Sequence, residues 1–242
     1  MRRVFFVAAM WCAAVIVAGA QDPARKAPSP PYTMATYQLA LLKPGPEAPR
    51  LGGTNEGQKV VQAHVLSMYK LAEAGTYLAA GPFLDGGDIS GVIVVKAPTP
   101  ERAIEITGED PAVKAGMFTV EVTTFMAPEG WFGKWAPFGK FEKVFFGFLV
   151  TGPNRGQDAE TAKRLQAEHL AYMEGQASEG KLVLAGPITV DGARRGIVVY
   201  RVGDEAEARR RGEEDPMIKA GRLALELHAW QVPIGALPVT GK

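Results

Sequence analysis

The chain has 242 residues, with 27 Lys and Arg against 26 Asp and Glu, 47% hydrophobic residues, one Cys and three His. These are ordinary globular values, which exclude a long disordered or fibrous chain. A net charge of +1 makes no broad electrostatic case for nucleic acid or an anionic membrane as partner, and one Cys forms neither an internal disulfide nor a thiolate metal cluster.

Met1-Arg2-Arg3 is a short basic start, Val4 to Val17 carries no charge, and Ala18-Gly19-Ala20 places small residues where a signal peptidase reads. This is the layout of a cleavable secretory signal over residues 1–20, with cleavage after Ala20 and a secreted or periplasmic product. The apolar run falls short of the ~20 residues of a spanning helix, so no membrane contact is expected beyond the signal; an uncleaved anchor is the alternative. Cleavage removes Cys12 and leaves 25 basic and 26 acidic residues. Residues 21–34 are Pro-rich and polar, and read as a flexible leader.

The remaining chain repeats itself. At an offset of 105, His64 falls on His169, Met68 on Met173, Gly75 on Gly180, Ala80-Gly81-Pro82 on Ala185-Gly186-Pro187, and Glu109-Asp110-Pro111 on Glu214-Asp215-Pro216. Residues 57–126 give 18 identities in 70 positions, where chance gives about five. This duplication defines a first unit over 35–126, a linker over 127–140, a second unit over 141–235 and a tail over 236–242.

In chain order, Tyr37–Leu42 is an apolar strand. Gln58–Ala74 carries its apolar residues at helical spacing and ends at Gly75, a C-cap glycine. Thr76–Ala80 and Val92–Lys96 are strands around the Asp85-Gly86-Gly87 turn, Glu101–Ile106 is a short helix, and Met117–Phe125 closes the unit. The second copy follows suit with Val144–Val150, Thr161–Ser178, Lys181–Ala185, Ile197–Arg201 around Asp191-Gly192, Glu205–Arg211 and Arg222–Trp230. The order β-α-β-β-α-β twice predicts an α+β protein of two tandem ferredoxin-like units, whose sheets bury their free faces against each other within one chain. Between them, Ala127–Lys140 holds Trp131, Phe132, Trp135 and Phe138 among Gly and Pro. Either these aromatics pack on the two units, or they form an exposed anchor for a partner.

No Gly-x-Gly-x-x-Gly, P-loop, Gly-x-Ser-x-Gly or His-Glu-x-x-His motif occurs, so neither a cofactor nor a metal site is expected. His64 and His169 lie on apolar helix faces, as proton carriers or as core histidines. Asp110 and Asp215 each precede a proline, the pattern of an N-cap followed by an N1 proline. Asp85 and Asp191 are explained by turn chemistry. His228, with Thr123 as its counterpart, stands outside the repeat. Glu121 and Glu226 recur in the last strands, as ion pairs within the sheet or as extra carboxylates facing the pocket, the former being expected.

The helical His in both copies, the Ala-Gly-Pro after the second strand, and the Asp-Pro followed five residues later by Gly116 or Gly221 resemble the YCII-related (YciI-like) family of the dimeric α+β barrel superfamily. The resemblance implies a small-molecule pocket and a suspected active pair, here His64 with Asp110 and His169 with Asp215. In both copies the Asp follows the His by 46 residues, so only tertiary folding brings them together. At least one pair is expected within about 3–4 Å, lining a pocket, with the first copy favoured because its surroundings are less charged. Two functions stay open: a cofactor-independent His–Asp proton-transfer enzyme of isomerase or lyase type, and a non-catalytic small-ligand-binding or stress-related module. A small organic molecule is the expected partner. The sequence leaves the oligomeric state open.

Overall fold

The computed structural model describes residues 31–239. The predicted signal, its cleavage site and most of the leader lie outside the described residues. The first unit runs β1 (Met34–Pro44), α1 (Ala48–Leu51), α2 (Asn55–Glu73), β2 (Tyr77–Pro82), β3 (Gly91–Val95), α3 (Pro100–Gly108), α4 (Pro111–Lys114) and β4 (Phe118–Pro128). The second runs β5 (Phe141–Thr151), α5 (Ala159–Ser178), β6 (Leu182–Pro187), β7 (Arg194–Tyr200), α6 (Glu205–Glu213), α7 (Pro216–Lys219) and β8 (Leu223–Pro233). Both sheets are antiparallel, ordered β2-β3-β1-β4 and β6-β7-β5-β8. The chain therefore folds as two ferredoxin-like units.

Local chemistry sets the long helices. Thr54 caps α2 by accepting from the Gly57 N–H at 3.0 Å, and Asp158 caps α5 by accepting from the Thr161 N–H at 2.9 Å. Each satisfies one of the donors that a helix start leaves unpaired. Past the other ends, Gly75 and Gly180 sit at φ +70° and +73°, where a Cβ would be strained.

Cross-strand partners share a face of a pleated sheet, which divides the apolar residues between two layers. Tyr37, Leu39 and Leu41 stand in register with Phe125, Val94 and Val92. Val144, Phe146 and Phe148 stand with Trp230, Val199 and Ile197. These residues of both units form one continuous core. The alternate positions of the second unit, Phe145, Leu149, Val198 and Tyr200, pack instead with the helix residues Leu165, Ala208 and Met217.

The sheets meet along both edges. The Leu84 N–H donates to Ala229 O at 2.8 Å, and the Thr189 N–H donates to Thr124 O at 2.9 Å. Isolated bridges join Phe83 to Trp230 and Phe125 to Ile188. β2 thus runs along β8 and β6 along β4, closing the eight strands into a barrel whose outer surface carries the helices.

Among the linker aromatics, Trp131, Phe132 and Trp135 are buried. The Trp131 indole donates to Val183 O at 2.8 Å, and Phe132 packs edge-on against Tyr37 at 5.1 Å. Phe138 is partly exposed and covers Tyr69 at 4.4 Å. The linker packs on the barrel, and the exposed-anchor alternative does not apply to these three rings. The end of the expected flexible leader is held as well. Tyr32 meets the Trp131 ring at 5.7 Å, and Thr33 O accepts from the Glu129 N–H at 2.7 Å.

Candidate functional site

Both His–Asp pairs meet. His64 Nδ1 lies 2.8 Å from both Asp110 oxygens, and His169 Nδ1 lies 2.6 Å from Asp215 Oδ2. The histidines project from α2 and α5, and each aspartate stands at the start of the four-residue helix before the last strand. Each aspartate also keeps its capping role. Asp110 Oδ1 accepts from the Ala112 N–H at 2.8 Å, and Asp215 Oδ1 accepts from the Met217 N–H at 2.8 Å. A proline at N1 spends no backbone donor there, so cap and histidine contact coexist on one carboxylate.

The surroundings of the two pairs differ. In the second unit a cavity of about 680 Å³ opens beside the sheet. His169, Met173, Leu182, Leu184, Ile197 and Met217 are among its walls. Nδ1 of His169 is held by Asp215, and Nε2 has no hydrogen-bond partner among the described residues. With Nδ1 donating, Nε2 presents a lone pair.

In the first unit larger groups occupy the corresponding space. Tyr77 stands where the second unit has Leu182, and it is 1% exposed. Phe118 stands for Leu223 and lies 5.6 Å from the His64 ring. Helix α1 has no counterpart after β5, and its Leu51 is buried with Met117 and Ala112. His64 is 3% exposed. This cavity lies beside the second pair, where the side chains are smaller and α1 has no counterpart.

A third pair escapes the repeat. His228 Nδ1 lies 2.8 Å from Asp85 Oδ2, joining β8 of the second unit to the β2–β3 turn of the first. The His228 ring stacks on Phe83 at 4.4 Å with an interplanar angle of 2°. Turn chemistry alone does not account for Asp85. The pair spans 143 residues and occurs once, so self-comparison carries no signal for it. Glu121 forms the expected sheet ion pair with Lys43 and also meets Arg194 at 3.3 Å.

Known proteins fit this architecture. A variant of chlorite dismutase from Candidatus Nitrospira defluvii is 13% identical, covers 83% of this chain and 92% of its own, and superposes with a TM-score of 0.53. Another variant of that enzyme, in complex with cyanide, is 11% identical, with coverage of 83% and 91% and a TM-score of 0.54. At such identities the likeness establishes the fold and leaves chemistry to the site. A dehydrochlorinase from Burkholderia phenoliruptrix, in complex with 2,5-dihydroxybenzoquinone, is 22% identical and covers 35% of this chain and 89% of its own, at a TM-score of 0.29. No curated protein sequence matches. The model of the YCII-related domain matches residues 38–126 and again residues 147–230, one copy on each ferredoxin-like unit with its helical His and its Asp-Pro in place, so the chain belongs to the YCII-related family as a tandem pair.

Proposed function

We propose that the second unit binds a small organic molecule in the cavity beside His169 and moves a proton on it, as a cofactor-independent isomerase or lyase does. One observation carries this reading: a buried histidine with one ring nitrogen fixed by a carboxylate lines a cavity of about 680 Å³, a size suited to small-molecule ligands. Asp215 holds the tautomer and orientation, the Nε2 lone pair takes the proton, and the same carboxylate faces the imidazolium that results. The first unit, with the same pair enclosed, acts as scaffold.

A second reading is a ligand-binding module without turnover. It is favoured by His64 and Asp110, which form the same contact with no need of an open cavity. The test is solvent deuterium exchange. Ligands found by thermal shift, which reports binding to the native state, are incubated with protein in D₂O and examined by mass spectrometry. Deuterium uptake at carbon by the wild type, lost in His169→Gln and kept in His64→Gln, supports the enzyme. Binding without uptake leaves the module.

The amino-terminal segment supports export through a cleavable signal. Mass spectrometry of protein from its native envelope fraction is expected to give an N-terminus at Gln21. Retention of Met1 would favour an uncleaved anchor.

A further inference from the structure

Three arginines line the same cavity as His169: Arg155 on the loop after β5, Arg195 on β7 and Arg222 just before β8. Each of the other eight arginines among the described residues lies within ion-pair distance of a carboxylate. These three have no such partner among the described residues. Arg222 donates to Arg155 O at 3.1 Å and to Gln157 Oε1 at 3.0 Å, both neutral acceptors. The cluster is tight enough for its members to affect one another. The Arg155 guanidinium is held below its usual value first by burial, then by the charges of Arg195 and Arg222.

Gathering three like charges around an apolar cavity without a counterion is electrostatically unfavourable. Among the described residues the one carboxylate on the cavity wall, Glu174, sits by Tyr32, whose phenol it raises after burial has done so, and it forms no ion pair with the three arginines. The first unit shows what the fold needs without them. Ser90 and Met117 occupy the positions of Arg195 and Arg222, and α1 stands after β1 where the second unit has the Arg155 loop. The arginines stand at this cavity, and the first unit has no arginine at the positions of Arg195 and Arg222.

We propose that the cavity takes an organic carboxylic acid, its apolar body against Met173, Leu182 and Met217 and its carboxylate held by Arg155, Arg195 and Arg222. This rests on the reading of the cavity as a ligand site and names the chemical class it selects. Guanidinium groups suit the task because their planar forks match a carboxylate with charge-assisted hydrogen bonds. An acid held there presents its body to the wall that carries His169.

The probes are matched pairs with one body and two head groups: phenylacetate with phenylacetamide, cinnamate with cinnamamide, octanoate with octanamide. Thermal shift and calorimetry on the full chain are expected to show the acids binding at least about tenfold more tightly than their amides, with the difference shrinking as salt rises. Arg195→Gln combined with Arg222→Gln should abolish the preference for acids. Without ligand, Arg195→Gln alone should melt no lower than the wild type, because it loses repulsion rather than an ion pair, whereas Arg222→Gln also gives up two hydrogen bonds. His169→Gln should still prefer acids. Amides binding as well as acids would overturn the anionic class while leaving the cavity reading intact. If neither head group binds with any body, both fail. A preference for acids that survives the double substitution would place the anion elsewhere and overturn the assignment to these arginines.

Discussion

His228 and Phe83 stack face to face at 4.4 Å across the join between the two units, and Asp85 grips the outer edge of the same imidazole at 2.8 Å. Neither contact has a twin at the other join, since Thr123 and Asp191 do not pair. Ring pairs of this kind contribute roughly 0.5–1.5 kcal/mol beyond area burial. A double-mutant cycle with Phe83→Leu and His228→Gln, followed by urea unfolding, should give a coupling of that size. Additive single effects would show that the stack adds nothing to the closure of the barrel.

The Ala-Gly-Pro repeats mark where the sheets touch. A Cβ on Gly81 would lie 1.7 Å from Gln231 O, and one on Gly186 would lie 1.7 Å from Met126 O. The obstacle in both cases is the backbone of the other unit, which cannot yield as a side chain would. Gly81→Ala or Gly186→Ala should each cost about 3 kcal/mol or more in denaturant unfolding. Gly175, inside α5 with open space at its Cβ position, is the control. Gly175→Ala should stabilise by about 0.5–1 kcal/mol. A mild effect at Gly81 and Gly186 would mean that the joins are looser than their hydrogen bonds require.

These glycines show what could be read from the chain and what could not. The repeat revealed the two units, the helical histidines and the Asp-Pro turns, because hydrophobic period and turn chemistry are local. It also marked Gly81 and Gly186 as paired positions. Their reason, contact with a strand some 150 residues away for Gly81 and 60 for Gly186, needed the closed barrel. The cavity was hidden for a different reason. It follows from volume differences such as Tyr77 against Leu182, and from α1 in one copy only, and neither leaves a mark on periodicity. Of the arginines, Arg194 and Arg195 stand side by side in the chain. Arg155 and Arg222 joined Arg195 only through folding.

Acid should loosen α5 and α6. The Thr161 N–H and hydroxyl both donate to the Asp158 carboxylate at 2.9 Å and hold it below its usual range. Arg211 and Arg210 do the same for Glu207 and Glu214. A carboxyl whose pKa is depressed by folding contributes stability above its unfolded value, near 4, and that contribution is lost as pH falls through the folded value. Melting temperature should therefore be level from neutrality to about pH 5 and fall below about pH 4. Asp158→Asn keeps a competent cap but removes the titrating group. It should melt near the wild type at neutral pH and show a shallower acid decline. An unchanged decline would remove Asp158 from the contributors.

Tyr77 fills the first unit at a polar cost. It is 1% exposed, and its hydroxyl has no hydrogen-bond partner among the described residues. Burial, and secondarily the charge of Asp110, push its phenol well above the usual tyrosine range, so it stays a neutral donor with nothing to donate to. A buried hydroxyl without a partner forfeits its hydration for no return, at about 1–3 kcal/mol. Tyr77→Phe keeps the buried ring and should raise stability by about 1 kcal/mol. Tyr77→Leu, which copies the second unit, should instead lower it by about 1–3 kcal/mol through lost packing, and the thermal-shift screen then tests whether the first unit gains a ligand site. The two variants separate the ring from its oxygen. If Tyr77→Phe proves destabilising, the hydroxyl is bonded in solution, and the first unit is polar at its centre rather than merely full.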